Sequence, residues 1–268
     1  MPELPEVETT AVGIAPLLVN QRIKKIVVRN KQLRWPVTDQ IESIVKDLII
    51  KTVKRRAKYI VVDLDHGSFL IHLGMSGSLR LISEADILKK HDHIQMYLSN
   101  DYVLTYHDPR RFGCWLWSND DHKLLDSLGP EPLSKSFDGS YLWGLSKGRK
   151  LSVKAFIMDS KIVVGVGNIY ANEALFSSGI RPNRHAGKIS LKRYELLAKN
   201  IKSILTAAIK QGGTTLRDFT NGRGEPGYFE QSLNVYGRAG EKCLNCASIL
   251  REIRLGQRSS VFCMSCQQ

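Results

Sequence analysis

No apolar run in the 268 residues reaches the about 18 that a bilayer-spanning helix needs, so a membrane span is not expected. A secretory leader is not expected either, because the first residues are acidic and proline-rich with no apolar stretch behind them. Internal repeats and low-complexity tracts are missing, which removes solenoids and fibrous chains. Cysteine is scarce. There are five, with Cys114 alone and the other four from Cys243 onward. An odd, clustered set is unsuited to a disulfide scaffold and points to a reduced compartment and a metal. Acidic residues number 26 against 39 Lys and Arg, leaving a net charge of +13 and a pI near 9.6. That excess favours a polyanionic partner, nucleic acid first, although a merely basic surface has the same charge. Apolar residues make up 43%, enough for a packed core and too many for wholesale disorder.

Residues 5–19 place Val7, Ala11, Ile14 and Leu18 at helical spacing. Short runs rich in β-branched and aromatic residues follow: Lys25–Arg29, Tyr59–Leu64, Ser68–Leu73, Ser78–Ile82, Ile94–Ser99, Tyr102–His107 and Cys114–Trp117. Turn residues separate them, which predicts an antiparallel sandwich or barrel through about residue 130. Residues 129–134, Gly-Pro-Glu-Pro-Leu-Ser, read as a linker. Beyond them the period turns helical. The clearest helix follows Ser190 and ends at Gly212-Gly213. Leu191, Tyr194, Leu197, Ala198, Ile201, Ile204, Leu205, Ala208 and Ile209 form its apolar face. Residues 221–227, Asn-Gly-Arg-Gly-Glu-Pro-Gly, are too glycine-rich for regular structure.

The chain begins Met-Pro-Glu-Leu-Pro-Glu. Initiator methionine is normally removed before a small residue, so the mature chain is expected to start with the secondary amine of Pro2. An α-amino group titrates near pKa ~7.7–8.0, well below a lysine, and is partly neutral and nucleophilic at pH 7. Attack on an aldehyde-level carbon gives an iminium ion, an electron sink for later eliminations, and Glu3 stands ready to move protons. The same residues also make a good helix start, since Pro5 and Glu6 suit a first turn; taken alone they leave both readings open.

Cys243-Leu-Asn-Cys246 and Cys263-Met-Ser-Cys266 are two Cys-x-x-Cys pairs with sixteen residues between them. That spacing fits a four-thiolate zinc site on a hairpin better than a redox pair or an iron–sulfur centre. Four sulfurs leave no position for water, so such a zinc is structural. Arg251, Arg254 and Arg258 fall in the hairpin, facing phosphate or only solvent. Gly165-Val-Gly-Asn168 leads into a helical pattern, a local fit for gripping phosphate. A dinucleotide fingerprint would need a third glycine and surrounding βαβ units, and neither is there. In Lys54 to Tyr59, an extended backbone would put Lys54, Arg56 and Lys58 on one face. Met75, Arg110 and Phe112 fall in turns, where large side chains are poor packing choices but apt wedges for a DNA duplex.

Taken in order, these elements resemble one family over essentially the whole chain, the bacterial formamidopyrimidine-DNA glycosylases. The matching motifs are the Pro-Glu-Leu-Pro-Glu start, Arg-Arg-Ala-Lys-Tyr, His-Leu-Gly-Met-Ser-Gly, Lys90 to His93, and Asp-Pro-Arg-Arg-Phe-Gly. Gly-Val-Gly-Asn-Ile-Tyr, Gln-Gly-Gly-Thr-Thr and the four-cysteine finger complete the set. The resemblance implies an α+β multidomain chain: an N-terminal antiparallel β-sandwich with an N-terminal helix, a helix–two-turn–helix domain and a C-terminal zinc finger. The expected bounds are 1–132, 133–234 and 235–268. It implies Pro2 as the nucleophile on C1′, Glu3 as proton carrier, Lys58 for β-elimination and Arg258 for the second elimination. His91, Arg110, Lys150 and Asn168 would contact DNA, while Met75, Arg110 and Phe112 would fill the gap left by an extruded base. One zinc would sit on Cys243, Cys246, Cys263 and Cys266. The partner would be duplex DNA carrying oxidised bases or abasic sites, held between the domains by a monomer in the bacterial cytoplasm. The lesion would be met by the glycine-rich segment around Asn221 to Tyr228. Ala155 and Ser160 depart from the family, which more often has proline and an amide side chain there.

Two other readings stay in view. An endonuclease VIII-like enzyme would prefer oxidised pyrimidines, but Leu4 and the Met-Arg-Phe set resemble the purine branch. A non-catalytic damaged-DNA binder on the same fold would be expected to lack Pro2, Glu3 or Lys58, and all three are present.

Overall fold

The computed structural model describes residues 1–83, 87–213 and 233–268. The glycine-rich stretch from Asn221 lies outside these. The chain divides into two compact units, Met1–Asp126 with Gln211–Phe229, and Ser127–Lys210 with Glu230–Gln268.

The first unit opens with helix α1 (Leu4–Leu18). Its stripe Val7, Ala11, Ile14 and Leu18 is buried, as the spacing predicts. Strand β1 (Ile23–Val28), the short helix α2 (Ile41–Ile44) and strands β2 (Ile50–Arg56) and β3 (Tyr59–Leu64) follow. Then come β4 (Ser68–His72), β5 (Ser78–Ser83), β6 (Asp92–Leu98), β7 (Tyr102–His107) and β8 (Cys114–Ser118). They pair antiparallel in two four-stranded sheets, β1-β6-β7-β5 and β2-β3-β4-β8. Ile26, Leu79, Met96 and Leu104 from one sheet and Ile60, Val62, Phe69 and Trp115 from the other join the α1 stripe in one core. Three aromatics knit its centre, with Trp115 set edge-on to Phe69 at 5.4 Å and to Tyr106 at 5.9 Å.

The extended reading of residues 54–59 needs correction. Strand β2 ends at Arg56, which pairs with Tyr59 across a two-residue turn of Ala57 and Lys58. Ala57 adopts a left-handed φ of 57°, at a cost of about 1–2 kcal/mol for a residue with a Cβ. Lys58 therefore sits on a hairpin tip and shares no strand face with Lys54 and Arg56.

The second unit is helical: α3 (Gly139–Ser146), α4 (Val153–Met158), α5 (Asn168–Ser177) and α6 (Leu191–Lys210). On α6, Tyr194, Leu197, Ala198, Ile201, Leu205 and Ala208 are buried, while Leu191, Ile204 and Ile209 lie half-exposed at the stripe's margins. Residues 129–134 are tied into this unit, with Gly129 N donating to Ser160 O at 2.8 Å and Val164 N to Pro130 O at 3.2 Å. Ala155 N donates to the Ser152 hydroxyl at 3.2 Å, a helix cap that a proline at 155 would abolish. The chain ends in a hairpin of β9 (Arg251–Leu255) and β10 (Arg258–Phe262). Among the described residues no helix is long and apolar enough to cross a membrane.

Candidate functional site

In the first unit Pro2 and Glu3 are buried at the head of α1. The Glu6 carboxylate, itself buried, accepts the Glu3 backbone N–H at 2.8 Å, and Val7 N closes the first helical bond to Glu3 O at 3.1 Å. Glu6 thereby fixes the direction in which the chain start leaves the helix. The Lys58 turn is braced to the same helix, because Arg55 forms an ion pair with Glu8 and donates from Nη1 to Ala57 O at 3.0 Å. Met1, Arg34, His72, Gly74, Met75 and Phe112 line a cavity of ≈ 260 Å³. Burial, followed by the positive charges of Lys58 and Arg34, pushes the His72 imidazole down to about 4. Its Nδ1 accepts Gly74 N–H at 2.9 Å, so neutral His72 carries its proton on the other nitrogen and can act as an uncharged donor.

Arg110 and Phe112 are exposed on the loop after β7, with the guanidinium 4.9 Å from the Phe112 ring. Met75 is exposed on the turn after β4. His91 stands just before β6, its ring 6.1 Å from that of His93 and 6.0 Å from that of His107. Thus the structure brings Met75 and Phe112 to one cavity with the chain start. Spacing did not single out Arg34, His72, Glu6 or Arg55. Glu6, Arg55 and His72 lie within the motifs of the chain start, Arg-Arg-Ala-Lys-Tyr and His-Leu-Gly-Met-Ser-Gly, whereas Arg34 lies in none of them; for none of the four does the local sequence signal these contacts.

In the second unit Asn168 is the first residue of α5, after an extended Gly167 cap. Its side-chain Oδ1 is buried and has no hydrogen-bond partner among the described residues. Lys150 is exposed in the loop after α3. Arg258 is exposed at the β9–β10 tip, opposite Leu255 across Gly256 and Gln257, both with positive φ. Buried Lys154 donates to Ser259 O and Ser260 Oγ, each at 2.7 Å, and Asn172 Oδ1 accepts Val261 N–H at 3.0 Å. Helices α4 and α5 therefore hold the strand that begins with Arg258. Glu173 on α5 is buried and accepts the backbone N–H groups of Asn234, Val235 and Tyr236, each at 2.9 Å.

The Sγ atoms of Cys243, Cys246, Cys263 and Cys266 all lie within 4.8 Å of one another. Two of the separations are 3.9 Å for Cys243–Cys266 and 3.4 Å for Cys246–Cys263. Tetrahedral zinc with Zn–S bonds of about 2.3 Å sets sulfurs about 3.8 Å apart, so the donors present fit that ion. Cys266 N points at Cys263 Sγ from 3.5 Å, an orientation that supports a thiolate. Cys114 stands apart, buried in the first unit, and burial pushes its thiol up to about 12.

A β-sandwich unit with a pinned N-terminal Pro-Glu pair, and a helical unit carrying a four-cysteine zinc hairpin, define a class of protein. Three family models match in order: "Formamidopyrimidine-DNA glycosylase N-terminal domain" over residues 1–115, "Formamidopyrimidine-DNA glycosylase H2TH domain" over 128–220, and "Zinc finger found in FPG and IleRS" over 240–268. The formamidopyrimidine-DNA glycosylase of Stutzerimonas stutzeri is 55% identical over 270 residues, with 100% of both chains covered. That of Marinobacter nauticus is 54% identical, again with 100% of both covered. Among solved structures, a Lactococcus lactis FPG mutant in complex with Fapy-dG-containing DNA superposes with a TM-score of 0.93 at 31% identity, covering 100% of each chain. The L. lactis Fpg complex with abasic-site DNA gives 0.92 at 31% identity and 99% coverage of each. The chain belongs to the formamidopyrimidine-DNA glycosylase family.

Proposed function

We propose that this chain is a base-excision repair enzyme that extrudes and excises oxidised purines and then cleaves the abasic strand. It is a bifunctional DNA glycosylase and lyase with one structural zinc, acting on damaged duplex DNA in the bacterial cytoplasm. The observation that carries this reading is the chain start. Met1 lines the cavity that also holds His72, Met75 and Phe112, so its removal would leave the Pro2 nitrogen there.

In this reading the Pro2 nitrogen bonds to C1′ as the glycosidic bond breaks and the base leaves with that electron pair. The sugar ring then opens to a protonated imine, with Glu3 supplying and accepting the protons. Loss of a C2′ proton expels the 3′ phosphate, with Lys58 in support. A second elimination expels the 5′ phosphate, assisted by Arg258. Asn168, His91 and Lys150 grip phosphates, and Met75, Arg110 and Phe112 fill the space of the flipped nucleotide. The division into 1–132, 133–234 and 235–268 follows these roles, with the lesion met by the glycine-rich segment of the second part.

Oxidation at C8 turns guanine N7 from an acceptor into a donor, which a loop carbonyl can recognise. The orphaned cytosine offers acceptors to Arg110, whereas adenine offers its amino donor. Single-turnover excision is expected to be faster for 8-oxoguanine opposite C than opposite A. Arg110→Ala should erase a preference of about tenfold, the scale of one base-edge contact. Equal rates for both pairings in wild type and variant would remove that role, and faster release of thymine glycol would overturn the purine assignment. Lys150→Ala is expected to flatten the log–log salt dependence of DNA binding by about 0.9, the value of one phosphate contact. An unchanged slope would take Lys150 off the phosphate list.

A further inference from the structure

The loop from Asp108 to Gly113 carries two of the three wedge side chains, yet its first residue has no role in the scheme above. Asp108 is fully buried. Its Oδ1 accepts the Ser76 hydroxyl at 3.1 Å and its Oδ2 accepts Gly113 N–H at 2.9 Å. The Tyr106 hydroxyl lies 3.3 Å from Oδ2 and 3.0 Å from His72 O, one proton shared between two acceptors. Burial, followed by the Asp108 charge, pushes the Tyr106 phenol well above its usual range, so it remains a donor. The backbone of Asp108 is equally committed. Its N–H donates to His91 O at 3.1 Å, and its carbonyl accepts Arg111 N–H at 3.2 Å and faces His93 Nε2 at 2.9 Å.

One residue thus ties together the turns that carry Met75, His91 and the Arg110–Phe112 pair. Their backbones also touch. A Cβ on Gly74, where φ is 63°, would lie 2.4 Å from Gly113 N, and one on Gly113 would lie 1.9 Å from the Tyr106 hydroxyl and 2.3 Å from His72 O. Met75 and Phe112 remain 39% and 48% exposed above this joint. Wedges driven between stacked bases work only if their mounting resists the duplex, because ordering a mobile turn at the moment of insertion opposes binding.

We propose that Asp108 is a positioning residue that locks the Met75, His91 and Arg110–Phe112 turns into one rigid insertion surface. The proposal rests on the DNA-repair reading and goes beyond it by assigning a residue that touches neither DNA nor the reacting atoms. The test uses the full-length zinc-loaded protein. Asp108→Asn is made in the wild-type background and in one lacking both the Met75 and Phe112 side chains. Duplex 8-oxoguanine excision is expected to slow about tenfold to hundredfold in the first background, the scale of buried donors losing their acceptor. Borohydride trapping on a single strand with a preformed abasic site, where no base is extruded, should stay near the wild-type rate. In the background without wedges the same substitution should add little, because the two changes act through one device. Equal losses in both backgrounds, or an equal loss on the single strand, would overturn the proposal in favour of a merely structural carboxylate.

If Asp108→Asn does not fold, Ser76→Ala decides. It removes only the tie to the Met75 turn, so it should be non-additive with Met75→Ala and additive with Phe112→Ala. Additivity with both would overturn the proposal. A wild type that neither excises nor traps would instead sink the repair reading, and this role with it.

Discussion

Borohydride added during turnover of an 8-oxoguanine duplex is expected to yield one protein–DNA adduct, with the modified peptide beginning at Pro2. At pH 7 an α-amino group with pKa ~7.7–8.0 is about one-tenth neutral, whereas an ordinary lysine near pKa ~10.4 is neutral in only about one molecule in several thousand. That difference selects the chain terminus over Lys58 as the attacking nitrogen. Buried Glu3 follows it directly, and its N–H is held at 2.8 Å by Glu6, so the amine leaves α1 in a set direction. A form that retains Met1 should give no adduct, since its Pro2 nitrogen is an amide. Glu3→Gln should slow base release by about 10²–10⁴-fold, the usual worth of a positioned proton carrier. Glu6→Gln is expected to be milder, because an amide oxygen still accepts the Glu3 N–H. An adduct mapping only to Lys58 would refute the assignment of Pro2.

The second large effect is expected at the metal. Cys246→Ala should reduce zinc content from one per chain to near zero and unfold the hairpin. The apolar cluster there is small: Phe176, Val235, Cys243, Leu250, Val261 and Cys263. Four-thiolate sites contribute about 10–16 kcal/mol of apparent binding energy to such modules, far more than so few side chains supply. With the hairpin goes the placement of Arg258, so affinity for lesion duplex should fall about tenfold or more, the scale of one hydrogen bond to a charged partner. The first unit keeps its own core, and the near-ultraviolet signal of Trp115 and Trp117 should persist. Cys114→Ala should retain full zinc, because that buried thiol lies outside the cluster. Wild-type zinc content and DNA affinity in Cys246→Ala would reject the argument.

Seven of the eight strands of the first unit are legible as short runs rich in β-branched or aromatic residues, and two of them, Tyr59–Leu64 and Tyr102–His107, have the bounds read from sequence; β2 (Ile50–Arg56), which ends in the basic Lys54–Arg56, is not among those runs. The order β1-β6-β7-β5 is not legible, because alternation reports which face of a strand is buried and not which strand lies beside it. The Ala57-Lys58 turn escapes for a related reason. Alanine is no turn signal, and its left-handed φ is imposed by closure of the β2–β3 ladder, with Arg55 bracing the carbonyl.

What the sequence determines by itself is chemistry carried by adjacency: an amine beside a carboxyl at Pro2-Glu3, four thiols in two Cys-x-x-Cys turns, and wedge-shaped residues in turns. These need no partner from elsewhere to be recognised. What only the tertiary structure decides is which buried polar groups hold that chemistry in place. Asp108 reaches Ser76, Glu173 reaches Asn234, and Lys154 reaches Ser259 across 32, 61 and 105 residues. A buried carboxylate or ammonium is stable only when its hydrogen bonds are met. Where they are met depends on how distant segments cross, and local composition leaves no trace of that.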